Sequence, residues 1–143
     1  MVKQLTVFLE NSPGRLAALT RAIGDAAINM RALMVADTAE FGVVRIICDD
    51  SDLAQSALES AGYGVTVTDV IAVVVPDRPG GLADVLEVLG AAGINVEYAY
   101  CFVRPSGEGA IDVFRVEEPD RAARVLAEAD VRVLTQDDVR SAG

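Results

Sequence analysis

The chain has 143 residues, enough for one ordinary domain or two very small ones. Hydrophobic residues make up 52% and charged residues 24%, a globular balance that leaves ample material for a core and argues against disorder. A formal net charge of -10 disfavours a phosphate-backbone partner or an anionic membrane surface, and the absence of histidine excludes a Ser-His-Asp triad, a Cys-His pair and any His-ligated metal.

In chain order, residues 3–10 (KQLTVFLE) alternate and are rich in β formers, which predicts a strand. From Gly14 to Ala27 the apolar positions Leu16, Leu19, Ile23 and Ala27 follow helical spacing. Residues 29–37 and 42–48 read as a hairpin joined by the polar turn Thr38-Ala39-Glu40. A short helix runs from Asp52 to Ala61 with Leu53, Ala57 and Leu58 inward, stopped by Gly62, and residues 64–69 form a fourth strand. The same order then recurs: strand 71–76, helix 80–92, strands 95–103 and 110–116, helix 119–129 and strand 131–135. The helix at 80–92 places Leu82, Val85, Leu86 and Leu89 on one face.

The recurrence extends to the residues. NSPGRLA at 11–17 reappears as DRPGGLA at 77–83, an offset of 66. Gly24 meets Gly90, Ala26 meets Ala92, and Ile28-Asn29 meets Ile94-Asn95 at that spacing. VRI at 44–46 matches FRV at 114–116 at 70, and the helix opening at Asp52 matches the one at Asp120 at 68. Two copies of a βαββαβ unit are therefore expected, residues 1–69 and 70–143, with only Asp69 to Ile71 between them and so no flexible linker. This is an α+β architecture: antiparallel sheets, each covered by helices on one face.

Two places in each copy carry more polarity than such a frame needs. Pro13 and Pro79 suit the first turn of a helix, where the missing N–H would be an orphan. Ser12 is a good N-cap and its counterpart Arg78 a poor one, while Asn11 and Asp77 both can accept from backbone N–H groups two residues on. Gly14 and Gly80 give the backbone room, and each helix start offers N–H donors and a partial positive charge suited to a carboxylate. Asn29 and Asn95 open a strand, where Asn is a poor β former. Each of these features also has a purely local reading, as capping or turn chemistry.

A strand, Asn/Asp-x-Pro-Gly-x-Leu-Ala, an amphipathic helix and Gly/Ala-Ile-Asn opening the next strand together resemble the ACT domain, twice over. The resemblance implies two tandem ferredoxin-like βαββαβ modules that pair side by side and bind amino acids where one module's strand-to-helix loop meets its neighbour's second strand. It implies binding residues Asn11, Ser12, Pro13, Gly14, Arg15 and Leu16 in the first loop, and Asp77, Arg78, Pro79, Gly80, Gly81 and Leu82 in the second. Asn29 and Asn95 are their implied partners across the interface, Asn11 with Asn95 and Asp77 with Asn29. Some members carry a polar residue or His two positions before the loop Asn; Leu9 and Val75 stand there instead.

The function so implied is an amino-acid-binding regulatory protein, with a free amino acid as ligand, no cofactor and no metal. It is expected to act as a homodimer in the cytoplasm, without nucleic acid or membrane. The alternative is a non-catalytic subunit of an amino-acid biosynthetic enzyme. An enzyme in its own right finds little support, because Asp49, Asp50 and Asp52, like Glu117, Glu118 and Asp120, precede helices, where carboxylates serve as caps and dipole partners. An RNA-binding sheet would want exposed aromatics and a basic face. Cys48 and Cys101 read as two reduced, buried thiols, and no apolar run reaches membrane-spanning length.

Overall fold

A computed structural model describes residues 1–37, 41–103 and 109–141. The expected turn Thr38-Ala39-Glu40 lies outside the described residues. Contacts divide the chain into two compact units, Lys3–Thr68, and the residues from Asp69 onward together with Met1–Val2.

In the first unit β1 (Val2–Glu10), α1 (Arg15–Asp25), β2 (Met30–Asp37), β3 (Phe41–Cys48) and α2 (Ser51–Ser60) follow one another, then the start of β4 (Val65–Val75). β1 pairs antiparallel with β3 through Leu5↔Ile46 and Val7↔Val44, and β3 pairs with β2 through Leu33↔Ile46. Alternation sends Leu5, Val7 and Leu9 of β1 and Val44, Ile46 and Cys48 of β3 to one face, where Leu19 and Ile23 of α1 and Ala54 and Leu58 of α2 close the core. Both helices thus cover the same side. On the opposite face Arg45 donates from Nη1 to Thr6 Oγ1 at 3.2 Å.

The second unit repeats the plan with α3 (Gly81–Ala91), β5 (Val96–Val103), β6 (Ala110–Val116) and α4 (Pro119–Glu128). Here β4 pairs antiparallel with β6 through Ile71↔Phe114, and β6 with β5 through Ala99↔Phe114. Ile71, Val73, Val75, Phe114 and Val116 meet Val85 and Leu89 of α3 and Ala122 and Leu126 of α4. The chain then adds β7 (Val133–Leu134), paired with β4, and α5 (Gln136–Ser141).

Several expectations change. The strands read as 64–69 and 71–76 are one continuous β4, because Asp69 and Val70 stay extended. The strand expected over 131–135 keeps only Val133–Leu134 in the ladder, since Thr135 turns the chain into α5. That short helix opens on a capping box: Thr135 Oγ1 accepts from Asp138 N at 3.1 Å while Asp138 Oδ2 accepts from Thr135 N at 2.9 Å.

The apolar stripes are narrower than the spacing suggested. Leu16, Leu53, Leu82 and Leu86 are exposed, and Ala54 rather than Leu53 is buried. Ala27 has left the helix and takes a left-handed φ of 59°, matching Gly93 at 74° in the second copy. The third strands align at 68 rather than 70: Leu5 faces Ile46 and Ile71 faces Phe114, and 114 − 46 = 68. Cys48 is buried but Cys101 is exposed, on the edge strand β5. Among the described residues no helix is long and apolar enough to cross a membrane.

Candidate functional site

The two strand-to-helix loops adopt the same turn. In the first, Ser12 N donates to Glu10 O at 2.9 Å and Arg15 N to Ser12 O at 3.4 Å; in the second, Arg78 N donates to Pro76 O at 2.9 Å and Gly81 N to Arg78 O at 3.0 Å. The helix cap falls on Gly14 (φ 84°) and Gly80 (φ 81°), a left-handed conformation that side chains rarely tolerate. Neither helix start receives a side-chain cap. Ser12, expected as a cap, sits two residues too early for it.

Asn11, Pro13, Gly14, Arg15 and Leu16 are exposed in the first loop and Ser12 is half-buried. In the second loop Asp77, Arg78, Pro79, Gly80 and Leu82 are exposed, and Gly81 is buried. The loop cations are held locally. Arg15 pairs with Glu10 at 3.0 Å and Arg78 with Asp84 at 2.8 Å. These pairs are solvent-exposed and contribute little to stability.

Asn29 and Asn95 stand at the far end of their units from the loops. Each is separated from its own loop by an 11-residue helix, about 16 Å long at 1.5 Å per residue. Within one unit, therefore, loop and Asn do not meet. Each Asn is exposed and is followed by a register shift in the edge strand, at Met30/Ala32 and at Val96/Tyr98. Asn29 O accepts from Asp49 N at 3.1 Å, and Arg31 clasps the Asp49 carboxylate through Nε at 2.5 Å and Nη2 at 3.2 Å. Asn95 instead lines a small cavity of about 130 Å³ with Glu97, Glu117, Glu118 and Arg121. Arg121 donates from Nη2 to Ala92 O at 2.6 Å and forms an ion pair with Glu118 at 3.9 Å, and Arg115 pairs with Glu97 at 3.6 Å. Asn29 thus adjoins one bidentate ion pair, and Asn95 a cavity lined by three acids and one arginine in which Glu97 and Glu118 have longer ion-pair contacts.

One polar residue escaped sequence reading altogether. Asp112 is buried, 4% exposed, on the helix-facing side of β6. The true offset of 68 puts it where the first unit has Val44. Burial raises its carboxyl pKa, opposed by a hydrogen bond from the Cys101 thiol. The offset of 70 read from VRI and FRV hid the equivalence. Among the described residues no group of three or more Cys, Asp or Glu is placed to hold a metal ion.

A family model described as an ACT domain pair matches residues 1–142. No curated protein matches the sequence. Among solved structures, protein BT0572 from Bacteroides thetaiotaomicron is 39% identical with a TM-score of 0.92, over 97% of this chain and 95% of that one. The regulatory subunit of aspartate kinase from Thermus thermophilus shares the fold at 18% identity and a TM-score of 0.66, over 90% and 92%. The corresponding subunit from Thermus flavus does so at 18% and 0.60, over 91% and 94%. The duplicated βαββαβ order, the twin glycine turns and the end-to-end family match place this chain in the ACT domain pair family.

Proposed function

We propose that this protein is a non-catalytic regulatory module that binds a free amino acid, with the 11–16 and 77–82 loops as carboxylate-facing halves of two cradles. The observation that carries this reading is the pair of matching turns, in which a left-handed glycine starts each helix and no side chain caps it. Apart from Arg15 N and Gly81 N, which the turns themselves engage, first-turn N–H groups are left to a ligand, and their partial positive charge suits a carboxylate. Asn29 and Asn95, a helix length away in their own units, serve as the partner arms of the neighbouring unit's loop: Asn11 with Asn95, Asp77 with Asn29. The two cradles are unequal. The acids around Asn95 favour an ammonium group, whereas Asp77 repels a carboxylate.

The protein works in the cytoplasm as a homodimer, and Leu33 and Val35, exposed on the edge strand β2, supply apolar surface for a second copy. Its net charge of -10 argues against nucleic acid and membrane as partners. A second reading, as the detached regulatory subunit of an amino-acid biosynthetic kinase, is favoured by end-to-end likeness in length and fold to the aspartate kinase regulatory subunits of Thermus. Isothermal titration of Asn11→Ala and Asp77→Ala against the wild type tests the cradles. Weakened binding of the amino acid that the wild type takes up is expected; unchanged binding in both variants for every amino acid tested overturns them.

A further inference from the structure

The face of the first unit's sheet that is turned away from α1 and α2 carries a block of side chains in register on neighbouring strands. Glu10, Phe8 and Thr6 of β1 stand opposite Phe41, Val43 and Arg45 of β3. Ala36 and Met34 of β2 extend the block beyond Val43 and Arg45. Its centre is apolar and open. Phe8 is 63% exposed and Phe41 51%, and neither belongs to the core of its own unit.

The second copy treats the same positions differently. At offsets of 66 and 68, Ala72 and Val74 stand for Thr6 and Phe8, and Gly109, Ile111 and Val113 stand for Phe41, Val43 and Arg45. Ala72, Ile111 and Val113 are fully buried and Val74 is half-buried. The copy that buries this face uses small and aliphatic residues, and the copy that exposes it uses phenylalanine, the costlier choice in water.

The charges point to what covers it. Glu10 and Arg45 lie at opposite ends of the block, since Arg45 pairs with Thr6, and their rungs are about 13 Å apart at about 3.3 Å per residue. Opposite signs about an apolar centre match a copy of the block turned end for end. In that stack Phe8 meets the partner's Phe8, Phe41 lies over the partner's Arg45, and Glu10 stands diagonal to the same guanidinium. The local partners allow it: Glu10 pairs with Arg15 at 3.0 Å in an exposed contact worth little, and Arg45 keeps its bond to Thr6. A chain of net charge -10 is repelled by acidic surfaces, its own included, whereas this block carries one charge of each sign.

The geometry points to this sheet face as a docking surface for a second copy of the chain, stacked face to face and antiparallel about a two-fold axis. It is distinct from the β2 edge, where Leu33 and Val35 project on the helix-covered side, and it requires no bound amino acid.

Sedimentation equilibrium of the full chain at micromolar concentration tests it, on the wild type and on Phe8→Asp, Phe41→Ser, Glu10→Lys, Leu33→Asp and Leu53→Asp. Phe8, Phe41 and Glu10 are exposed, so their replacement spares the core, which far-UV circular dichroism checks. Leu53 on α2, 49% exposed, controls for loss of an apolar surface group. Both phenylalanine variants are expected to sediment at half the wild-type mass, Leu53→Asp at the full mass, and Glu10→Lys to dissociate at about tenfold higher concentration. A monomeric wild type, or full mass in both phenylalanine variants, overturns the proposal. Halving in Leu33→Asp with full mass in the phenylalanine variants overturns the sheet face and leaves the β2 edge standing. Halving in the phenylalanine variants with full mass in Leu33→Asp supports the face and removes the edge.

Discussion

A Cβ on Gly81 would stand 2.2 Å from the carbonyl oxygen of Pro76, a distance that forces the backbone itself to move. The turn is tight because Gly81 N donates to Arg78 O at 3.0 Å, where the equivalent bond in the first copy, from Arg15, is 3.4 Å. Gly81→Ala is therefore expected to lower stability by about 1–3 kcal/mol, the range for overpacking a closed site. Arg15→Ala, which loses only an exposed ion pair, should stay within about 0.5 kcal/mol of the wild type. Urea unfolding followed by circular dichroism measures both.

Asp112 makes stability depend on pH in a direction opposite to that of a salt-bridged acid. Its folded pKa lies above the unfolded value because burial disfavours the charged form. Over the window from about pH 4 up to the raised value the folded state binds more protons, so stability falls as pH rises through it. Asp112→Asn and Asp112→Val, the latter restoring the residue of the first copy, should stabilise the protein at pH 7. The pH-dependent part of the gain should shrink as pH falls and be lost below about pH 3, where the wild-type carboxyl is largely neutral in both states; Asp112→Asn isolates it. Urea midpoints at the two pH values give the comparison.

The cysteines should react very differently. Burial, with Asp49 adding, pushes the Cys48 thiol up to about 11, so about a thousandth of it is thiolate at pH 8. Cys101 is exposed, although burial of its sulfur and the neighbouring Asp112 raise its pKa as well. A chromogenic disulfide reagent under native conditions should label Cys101 alone, with Cys48 released only by denaturant. Equal native reactivity of both would contradict the burial of Cys48.

Thr135 and Asp138 hold α5 by reciprocal caps, with Val139 buried beneath them. The two hydrogen bonds from Thr135 lower the Asp138 pKa, with Arg132 contributing. The cap is therefore in force above the ordinary carboxylate range and is lost as pH falls through the lowered value. Thr135→Ala should weaken α5 by about 1 kcal/mol, seen as faster amide exchange over 136–141 with the two cores unaffected.

Much of this was legible in the chain itself. Strand alternation, the 66-residue recurrence and the Pro-Gly turns led to the duplicated fold, because these signals are local and each copy supports the other. The misreadings have physical causes. Asp69 looked like a break between strands, but an extended backbone tolerates it and β4 runs on to Val75. Leu53 fits helical spacing as well as Ala54, and only packing on the sheet chooses between them. Asp112 and the Phe8–Phe41 face depend on register across strands, which spacing along the chain does not record.

The most direct test of the account is a thermal-shift panel of the wild-type protein against the proteinogenic amino acids. A ligand at about a hundred times its Kd adds about 2.7 kcal/mol, which for a chain of this size is a rise on the order of 5–10 °C in Tm. The account predicts such a rise with one or two amino acids and none with the rest. A flat response across all of them, at millimolar concentration, would contradict it.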